Sequence, residues 1–388
     1  MPGVRRFALV TPNFHPRVCG IGDHTARLGA ELRRRGHDVV IVTRQPAERH
    51  PDAPDLDVVA VDGEWPTAIA RHAIAAIADT RATDVVIQYF PQMWDAGRFG
   101  SAAALWLALR ARVLGARVTG IIHELAIPFV RRPDLALGSA SQRLQLAALI
   151  RACNRLFVTT DTRAHYLYAW CRALRVAYPS VLRVGPTALP VERVSRSLAD
   201  VQAAPRIGFF STAAAGKRFD VVLDAFAQIA AEIPAAELVL IGDLGPPEQR
   251  GVRLILDAVA NHPARARIRM TGRLSLSEIA SQMAAIDLYL FPMATGANTR
   301  SSTLPVALGC ELPVIALNGT ETDPELFRDG DNIVFAREMS GSAFAEASLR
   351  LLRDPAALER VRQGGRQLYE THLTWARITD HLLTELDR

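Results

Sequence analysis

Residues 206–232 read RIGFFSTAAAGKRFDVVLDAFAQIAAE, which is a short apolar run, a loop of small residues and an amphipathic stretch. This order predicts a buried strand over 206–211 and a helix near 217–232. The loop between them holds Lys217, the only lysine in a chain with 44 arginines. An ammonium is a compact charge on a flexible stem and fits a phosphate in a tight pocket better than a bulkier guanidinium does. The lysine therefore indicates a phosphate ligand, with chance retention as the alternative.

The same alternation of apolar runs and amphipathic stretches extends in both directions from this segment. Predicted strands lie at 7–11, 39–43, 58–61, 85–90, 118–123 and 156–160, then at 238–242, 268–272, 288–292 and 313–316. Predicted helices between them include 23–35, 102–114, 275–285 and 303–310. Such alternation is typical of βαβ units, so the sequence predicts an α/β protein with two Rossmann-like, doubly wound domains.

The chain has 388 residues, which exceeds the usual size of a single core. We predict a first domain over 1–190, a polar and proline-rich linker over 191–205, a second domain over 206–365, and a C-terminal helix over 366–388. That helix is long enough to cross back and pack on the first domain. Ligands of doubly wound sheets bind at the carboxyl ends of the strands, so we expect the two domains to face a shared cleft that holds the chemistry.

The composition excludes several classes of protein. No run of about 18 apolar residues and no signal h-region is present, so we expect a cytoplasmic protein. Four cysteines without C-x-x-C spacing argue against a zinc site or a disulfide framework. Residues 1–190 hold 24 Arg against 15 Asp and Glu. This basic half faces an anionic lipid surface, an acidic acceptor or only solvent. Nucleic-acid binding is not indicated, because the sequence lacks arginines interleaved with aromatic residues.

Two features of the first half are candidates for the site. Gly20 and Gly22 come just before the helix over 23–35, where backbone N–H groups and the helix end suit an anion or sugar hydroxyls; an ordinary tight turn is the alternative. The loop fails as a dinucleotide fingerprint because Thr25 stands at the third glycine position. His123 ends the strand over 118–123, a position suited to hydrogen bonding with a reacting group or to a structural histidine.

The richest segment of the second half is FPMATGANTRSSTLP, residues 291–305. Pro305 fits only the first turn of a helix, so that helix begins near Thr303 with Ser302 or Thr303 as its cap. A helix start with hydroxyls and Arg300 suits a diphosphate, and Lys217 lies on a neighbouring loop. The predicted binding residues of this half are Gly242, Gly272, Arg273, Asn298, Ser301, Ser302 and Thr303.

With these residues in hand, the chain resembles a retaining GT-B glycosyltransferase of family 4, with a glycosyltransferase group 1 C-terminal domain. The matching features are the glycine loop after the first strand, His123, Lys217, Gly272, and the segments 287–292, 312–316 and 323–330. Asn298 and Val306 stand where the family commonly has two glutamates, and Thr212 stands near the place of a frequent arginine. The run Arg300 to Thr303 resembles instead a subgroup with an Arg-Ser loop.

The resemblance implies an acceptor-binding first domain and a donor domain that binds a nucleoside-diphosphate sugar. It implies retaining, metal-independent transfer of the sugar to a hydroxyl of a glycan or glycolipid precursor, with no cofactor besides this co-substrate. Lys217 and Arg300 would stabilise the departing diphosphate, His123 would hold the sugar, and the leaving phosphate would help to remove the acceptor proton. A non-catalytic sugar-nucleotide-binding or scaffold protein is the alternative, and an epimerase or phosphorylase a third. Peripheral contact with the inner face of a membrane is compatible with the basic first half.

Overall fold

The computed structural model describes residues 3–17, 19–63, 65, 67–94, 102–127, 132–211 and 216–388. The chain forms two compact units, one of Met1–Val184 with Trp375–Arg388 and one of Gly185–Thr374. Each unit is a parallel sheet covered by helices, as the alternation of apolar and amphipathic segments predicts.

The first unit is built on a seven-stranded parallel sheet in the order β3-β2-β1-β4-β5-β6-β7. Its strands are β1 Arg6–Val10, β2 Asp38–Arg44, β3 Asp57–Val61, β4 Asp84–Tyr89, β5 Arg117–Ile122, β6 Arg155–Val158 and β7 Ser180–Val181. Its first helices are α1 Gly20–Arg34, α2 Thr67–Asp79, α3 Pro91–Trp94, α4 Ala103–Val113, α5 Pro133–Ala152 and α6 Asp161–Leu174.

Two hydrophobic clusters hold this sheet. One joins β-strand side chains to α2, α4, α5 and α6. The other joins them to α1 and to the last helix of the chain, through residues such as Leu28, Leu32, Ile378 and Leu382. The predicted return of the C-terminal helix to the first unit is confirmed for the helix Trp375–Asp387, which places Trp375 against α1, whereas residues 366–374 of the predicted helix belong to the second unit.

The second unit is built on a six-stranded parallel sheet in the order β10-β9-β8-β11-β12-β13. The strands are β8 Arg206–Phe210, β9 Glu237–Ile241, β10 Ile268–Met270, β11 Leu288–Phe291, β12 Val314–Leu317 and β13 Val334–Ala336. The helices are α7 Leu198–Ala203, α8 Phe219–Glu232, α9 Arg250–Ala260, α10 Leu276–Ala284, α11 Thr303–Gly309, α12 Gly341–Arg353 and α13 Pro355–Leu368. A π-helical turn, Tyr369–Leu373, precedes α14, Trp375–Asp387, which belongs to the first unit.

All eleven predicted strands are present, with ends that differ by one or two residues. The sequence analysis did not anticipate β7 and β13, because runs of two and three residues are too short to show a period. The predicted linker over 191–205 contains α7, whose N-cap Ser197 accepts a hydrogen bond from the Asp200 N–H. The two compact units divide after Val184, ahead of that linker. Within the described residues, no helix combines the length and apolar character that crossing a membrane requires.

Candidate functional site

Lys217 lies at the carboxyl edge of the second sheet, between β8 and α8. Its backbone forms an isolated bridge with Met293, just after β11, and the Arg218 N–H donates to the Pro292 carbonyl. The Lys217 ammonium lies 5.7 Å from the centre of the Phe291 ring. The loop that leaves β8 is therefore joined to the loop that leaves β11. Thr212, near the place of the frequent family arginine, lies outside the described residues.

The electrostatic surroundings of Lys217 disfavour its charge. Burial, with a smaller contribution from the nearby Arg300 guanidinium, lowers the pKa of Lys217 to about 8. Among the described residues, no carboxylate forms an ion pair with Lys217. A partly buried ammonium beside a second cation is unfavourable until an anion joins them, so the two cations favour an anionic ligand.

The loop that carries Arg300 is held by Asn298. The Asn298 Nδ2 group donates to Thr295 Oγ1 and to the Gly296 carbonyl, both at 3.1 Å. Its Oδ1 accepts from the Arg300 N–H at 3.2 Å. Asn298 is only 2% exposed, and its side chain is occupied by these bonds. Asn298 therefore fixes the position of the Arg300 backbone, in addition to the ligand contact that the sequence analysis predicted for it.

The start of α11 is where Pro305 predicted it. The helix begins at Thr303, and Ser302 stands at the N-cap position without a side-chain cap bond. The hydroxyls of Ser301 and Thr303 lie 3.1 Å apart, and the buried Tyr289 hydroxyl donates to Thr303 Oγ1 at 3.3 Å. Hydroxyls therefore gather on the same loop as Arg300, as predicted.

A carboxylate that the sequence analysis missed faces Arg300. Glu321 follows β12, and its Oε2 lies 3.8 Å from Arg300 Nε. The two residues are 21 positions apart in sequence, but β11 and β12 are neighbouring parallel strands, so their exit loops share one sheet edge. A list of polar residues that follow each predicted strand would have included Glu321.

Two glycines predicted to surround a ligand meet further along the same edge. Gly242 follows β9 and Gly272 follows β10, and they form an antiparallel bridge. Both have positive φ angles, +107° and +68°, which favour glycine. The Gly242 N–H donates to Thr271 Oγ1 at 3.0 Å, and Arg273 is exposed beside them. The structure thus brings the predicted loops to one edge of one sheet.

The pKa of Lys217 leads to a prediction about pH. The diphosphate ligand predicted from the sequence needs the charged ammonium, so its affinity should be full below about pH 8 and should fall as the pH rises past this value, by up to about tenfold per pH unit. Calorimetric titration of UDP and ADP between pH 7 and about pH 9.5 measures this effect. The Lys217→Met variant has no titrating group at this position, so its affinity should not change with pH over this range. An equal fall in affinity with pH in both proteins would contradict the assignment.

In the first unit, His123 lies directly after β5 and is 7% exposed. Its Nε2 lies 2.7 Å from Gln88 Oε1, at the end of β4. Burial, with smaller contributions from His24 and Arg163, holds the pKa of His123 well below its usual value. Arg163 also donates to the His123 carbonyl and pairs with Glu124 at 2.7 Å. His123 is therefore a fixed, neutral imidazole, suited to hydrogen bonding and not to carrying charge.

His24 packs between His123 and the C-terminal helix. Its ring centre is 5.2 Å from that of His123 and 5.1 Å from that of Trp375. Burial lowers the pKa of His24 to about 4, and neither ring nitrogen has a hydrogen-bond partner in the described part of the chain. The sequence analysis did not single out His24 or Gln88, because neither belongs to a recognisable spacing.

Gly20 and Gly22 lie in the first turn of α1, which begins three residues ahead of the predicted helix start at 23, so they are helical residues and not a loop before the helix. Gly20 is the first helical residue and is exposed, and the N-cap Cys19 forms no side-chain cap bond. A Cβ on Gly22 would lie 3.1 Å from the Asn13 carbonyl oxygen, so the helix start packs closely under the loop that follows β1. Val18, within this loop, lies outside the described residues.

No cluster of three or more His, Cys, Asp or Glu side chains with the spacing of a metal site occurs in the described ranges.

Comparison with known proteins gives two family matches. The family described as Glycosyl transferases group 1 matches residues 204–354, and that described as Glycosyltransferase Family 4 matches residues 18–181. Together the matches cover most of both units. None of the curated proteins matches the chain.

Solved structures match nearly the whole chain at low identity. Sucrose-phosphate synthase from Thermosynechococcus elongatus is 16% identical, with a TM-score of 0.75 over 99% of this chain and 98% of its own. Anabaena HepE in complex with UDP is 14% identical, with a TM-score of 0.73 over 98% and 99%. The catalytic domain of Arabidopsis thaliana Starch Synthase IV, bound to ADP and acarbose, is 14% identical, with a TM-score of 0.69 over 100% and 99%. The predicted GT-B fold is thereby confirmed.

Proposed function

Because the chain belongs to the group 1 glycosyltransferases, we propose that it transfers a sugar from a nucleoside-diphosphate donor to an acceptor hydroxyl with retention and without a metal ion. The observation that carries this proposal is the pair of cations, Lys217 and Arg300, on adjoining loops at one sheet edge. HepE with UDP and Starch Synthase IV with ADP, which share this fold, are consistent with a nucleoside diphosphate as the anion.

The chemistry follows from where charge develops. As the bond between the anomeric carbon and the diphosphate oxygen breaks, its electron pair leaves with the diphosphate and positive charge builds on the sugar. Lys217 and Arg300 stabilise that departing charge, and such electrostatic stabilisation is usually the largest single contribution to catalysis. The acceptor oxygen forms a new bond to the anomeric carbon on the same face, and its proton passes to an oxygen of the leaving phosphate.

In this proposal His123 binds a hydroxyl of the reacting sugar. It is neutral and held by Gln88 at 2.7 Å, so it offers a hydrogen bond without repelling the cationic sugar of the transition state. Gly20 and Gly22 would let backbone N–H groups approach the ligand at the start of α1. Ser301, Ser302 and Thr303 would add hydroxyl and amide contacts to the phosphates.

The acceptor is proposed to be a glycan or a lipid-linked precursor. Helix α4 leaves Leu109 and Val113 exposed, at 49% and 76%, together with Leu114 at 51%, and carries Arg110 and Arg112 on its last turns. Apolar side chains beside arginines suit the surface of an anionic membrane. Acceptors should therefore be offered both in solution and in vesicles that contain anionic lipid.

A panel of sugar nucleotides tests the proposed function. We expect at least one UDP-, ADP- or GDP-sugar to release its nucleoside diphosphate when an acceptor is added, with the product anomer matching the donor anomer by NMR. A chelator such as EDTA should leave the rate unchanged, since the protein cations neutralise the leaving group. Binding without turnover across the panel would favour the scaffold alternative, and activity that needs added Mg²⁺ or Mn²⁺ would contradict the metal-independent mechanism.

A further inference from the structure

Glu321 has a buried carboxylate oxygen that nothing in the described chain satisfies. Its Oε2 is fully shielded from solvent and has no hydrogen-bond partner. The nearest cation, Arg300 Nε, lies 3.8 Å away, which is an ion-pair distance but too long for a hydrogen bond. An unsatisfied buried polar group costs about 1–3 kcal/mol, and more when it is charged. The site therefore holds an acceptor in need of a donor.

The position of this carboxylate is fixed by contact between two loops. The Glu321 N–H donates to the Thr295 carbonyl at 2.9 Å. Beside it, a Cβ on Gly296 would lie 2.2 Å from Thr322 Oγ1, and one on Gly319 would lie 2.5 Å from the Gly296 N. Only glycines allow this approach, so the loop after β12 packs directly against the loop that carries Arg300.

The order of strands places Glu321 beyond the cations. The loops after β8 and β11 carry Lys217 and Arg300, and the next strand, β12, leads to Glu321. On the other side of β8, the loops after β9 and β10 carry Gly242 and Gly272. Consider a nucleoside-diphosphate sugar with its nucleoside at Gly242 and Gly272 and its diphosphate at Lys217 and Arg300. Its sugar would then lie on the side of Glu321.

We propose that Glu321 accepts a hydrogen bond from a hydroxyl of the transferred sugar and thereby selects the donor, an inference that rests on the proposed function. A phosphate is excluded as the partner because two anions repel each other, whereas a sugar hydroxyl is a neutral donor. Bonds from a hydroxyl to a carboxylate are charge-assisted and roughly twice as strong as neutral ones. Glu321 supplies a carboxylate beside a loop in which the Asn298 side chain is already bonded to the Gly296 carbonyl and the Arg300 N–H.

The competing role for Glu321 is to hold Arg300 in place. The two roles predict different changes in the affinity for a bare nucleoside diphosphate when Glu321 is removed. If Glu321 only positions Arg300, its removal weakens binding of a bare nucleoside diphosphate. If Glu321 reads the sugar, its removal leaves binding of the bare diphosphate equal or tighter, because a negative charge beside the phosphate site has gone. Only the sugar-bearing ligand then loses affinity.

The experiment compares Glu321→Gln with the wild type by calorimetric titration of four ligands: UDP, UDP-glucose, ADP and ADP-glucose. For the nucleotide that the wild type binds, we expect the affinity for the glucose conjugate to fall about 10-fold to 100-fold in the variant, the loss of one charged hydrogen bond. Affinity for the bare diphosphate should stay equal or rise. The matched control is Glu346→Gln, which removes the same charge from an exposed pair with Arg337 and should change neither affinity.

Each result bears on the inference. A variant that binds the bare diphosphate and its glucose conjugate with equally reduced affinity would overturn it in favour of the positioning role, or of a contact with the ribose. Deoxyglucose conjugates provide a second test: one deoxy position should weaken binding to the wild type but not to Glu321→Gln. If the wild type binds the diphosphate but does not distinguish any deoxy analogue, the inference fails while the proposed function stands. If the wild type binds none of the four ligands, GDP and GDP-glucose are titrated in their place, and both fail if these do not bind either.

Discussion

Replacing Lys217 by Met is expected to lower turnover by about 100-fold or more and, at the same time, to stabilise the protein. The loss of rate follows from removing one preorganised charge that faces the departing diphosphate. The gain in stability follows from the pKa of Lys217, which lies near 8 in the folded protein and near its usual value of 10.5 in the unfolded chain. A lysine whose pKa is lowered by folding opposes folding at pH 7, and this penalty is relieved as the pH rises from about 8 to about 10.5.

The size of that gain is about 1–3 kcal/mol at pH 7, since each unit of pKa shift corresponds to about 1.4 kcal/mol and part of the side chain is exposed. Thermal and urea unfolding at pH 7 and pH 10 measure it, and the difference between variant and wild type should shrink at the higher pH. The control is Arg218→Met, which removes the adjacent cation from its exposed pair with Asp220 and should leave turnover near the wild-type rate. A Lys217→Met variant that is both active and less stable would refute this assignment.

Ending the chain at Thr374 is expected to prevent stable folding of the first unit. The removed helix, α14, buries Trp375, Ile378, Leu382 and Leu386 in the core beside α1. Each such side chain contributes about 1.5–3 kcal/mol, so their sum is comparable with the whole stability of a typical domain. The truncation also removes the Asp387 partner of Arg5. We expect the truncated protein to be insoluble, or to lose the cooperative unfolding of this unit.

Point variants in α14 separate this effect from a general effect of truncation. Leu382→Ala should destabilise by about 2–5 kcal/mol, the usual range for a buried leucine. Thr384→Ala, at an exposed position two residues further along the same helix, should change stability by less than about 0.5 kcal/mol. A truncated protein that unfolds at the wild-type temperature would show that α14 adds nothing to the first unit.

The elements predicted from the sequence are those with a clear period or a backbone constraint. The apolar runs before Lys217 and before Pro292 predicted β8 and β11 because buried parallel strands are almost continuously hydrophobic. Pro305 predicted the start of α11 because proline fits only the first turn. Lys217 was singled out because it is the only lysine of the chain, and Arg300 because it precedes the predicted helix start at Thr303.

The missed residues depend on packing between segments that are far apart in sequence. Glu321 reaches Arg300 only because β11 and β12 pair in register, with Phe291 beside Ala316. His24 touches Trp375 only because the last helix returns to α1. The ligand contact predicted for Asn298 stays a prediction; the structure adds that its buried side-chain amide bonds within its own loop, to Thr295 and the Gly296 carbonyl. Contacts between distant segments cannot be predicted from the spacing of residues within one segment.

The central claim is that Lys217 and Arg300 together bind the diphosphate of a sugar nucleotide. The most direct measurement is calorimetric titration of UDP and ADP into the wild type, Lys217→Met, Arg300→Met and the double variant at pH 7. We predict that the nucleotide bound by the wild type loses at least about tenfold in affinity with each single change, and that the losses do not simply add in the double variant, because the two cations share one ligand. Undiminished binding in both single variants would contradict the account.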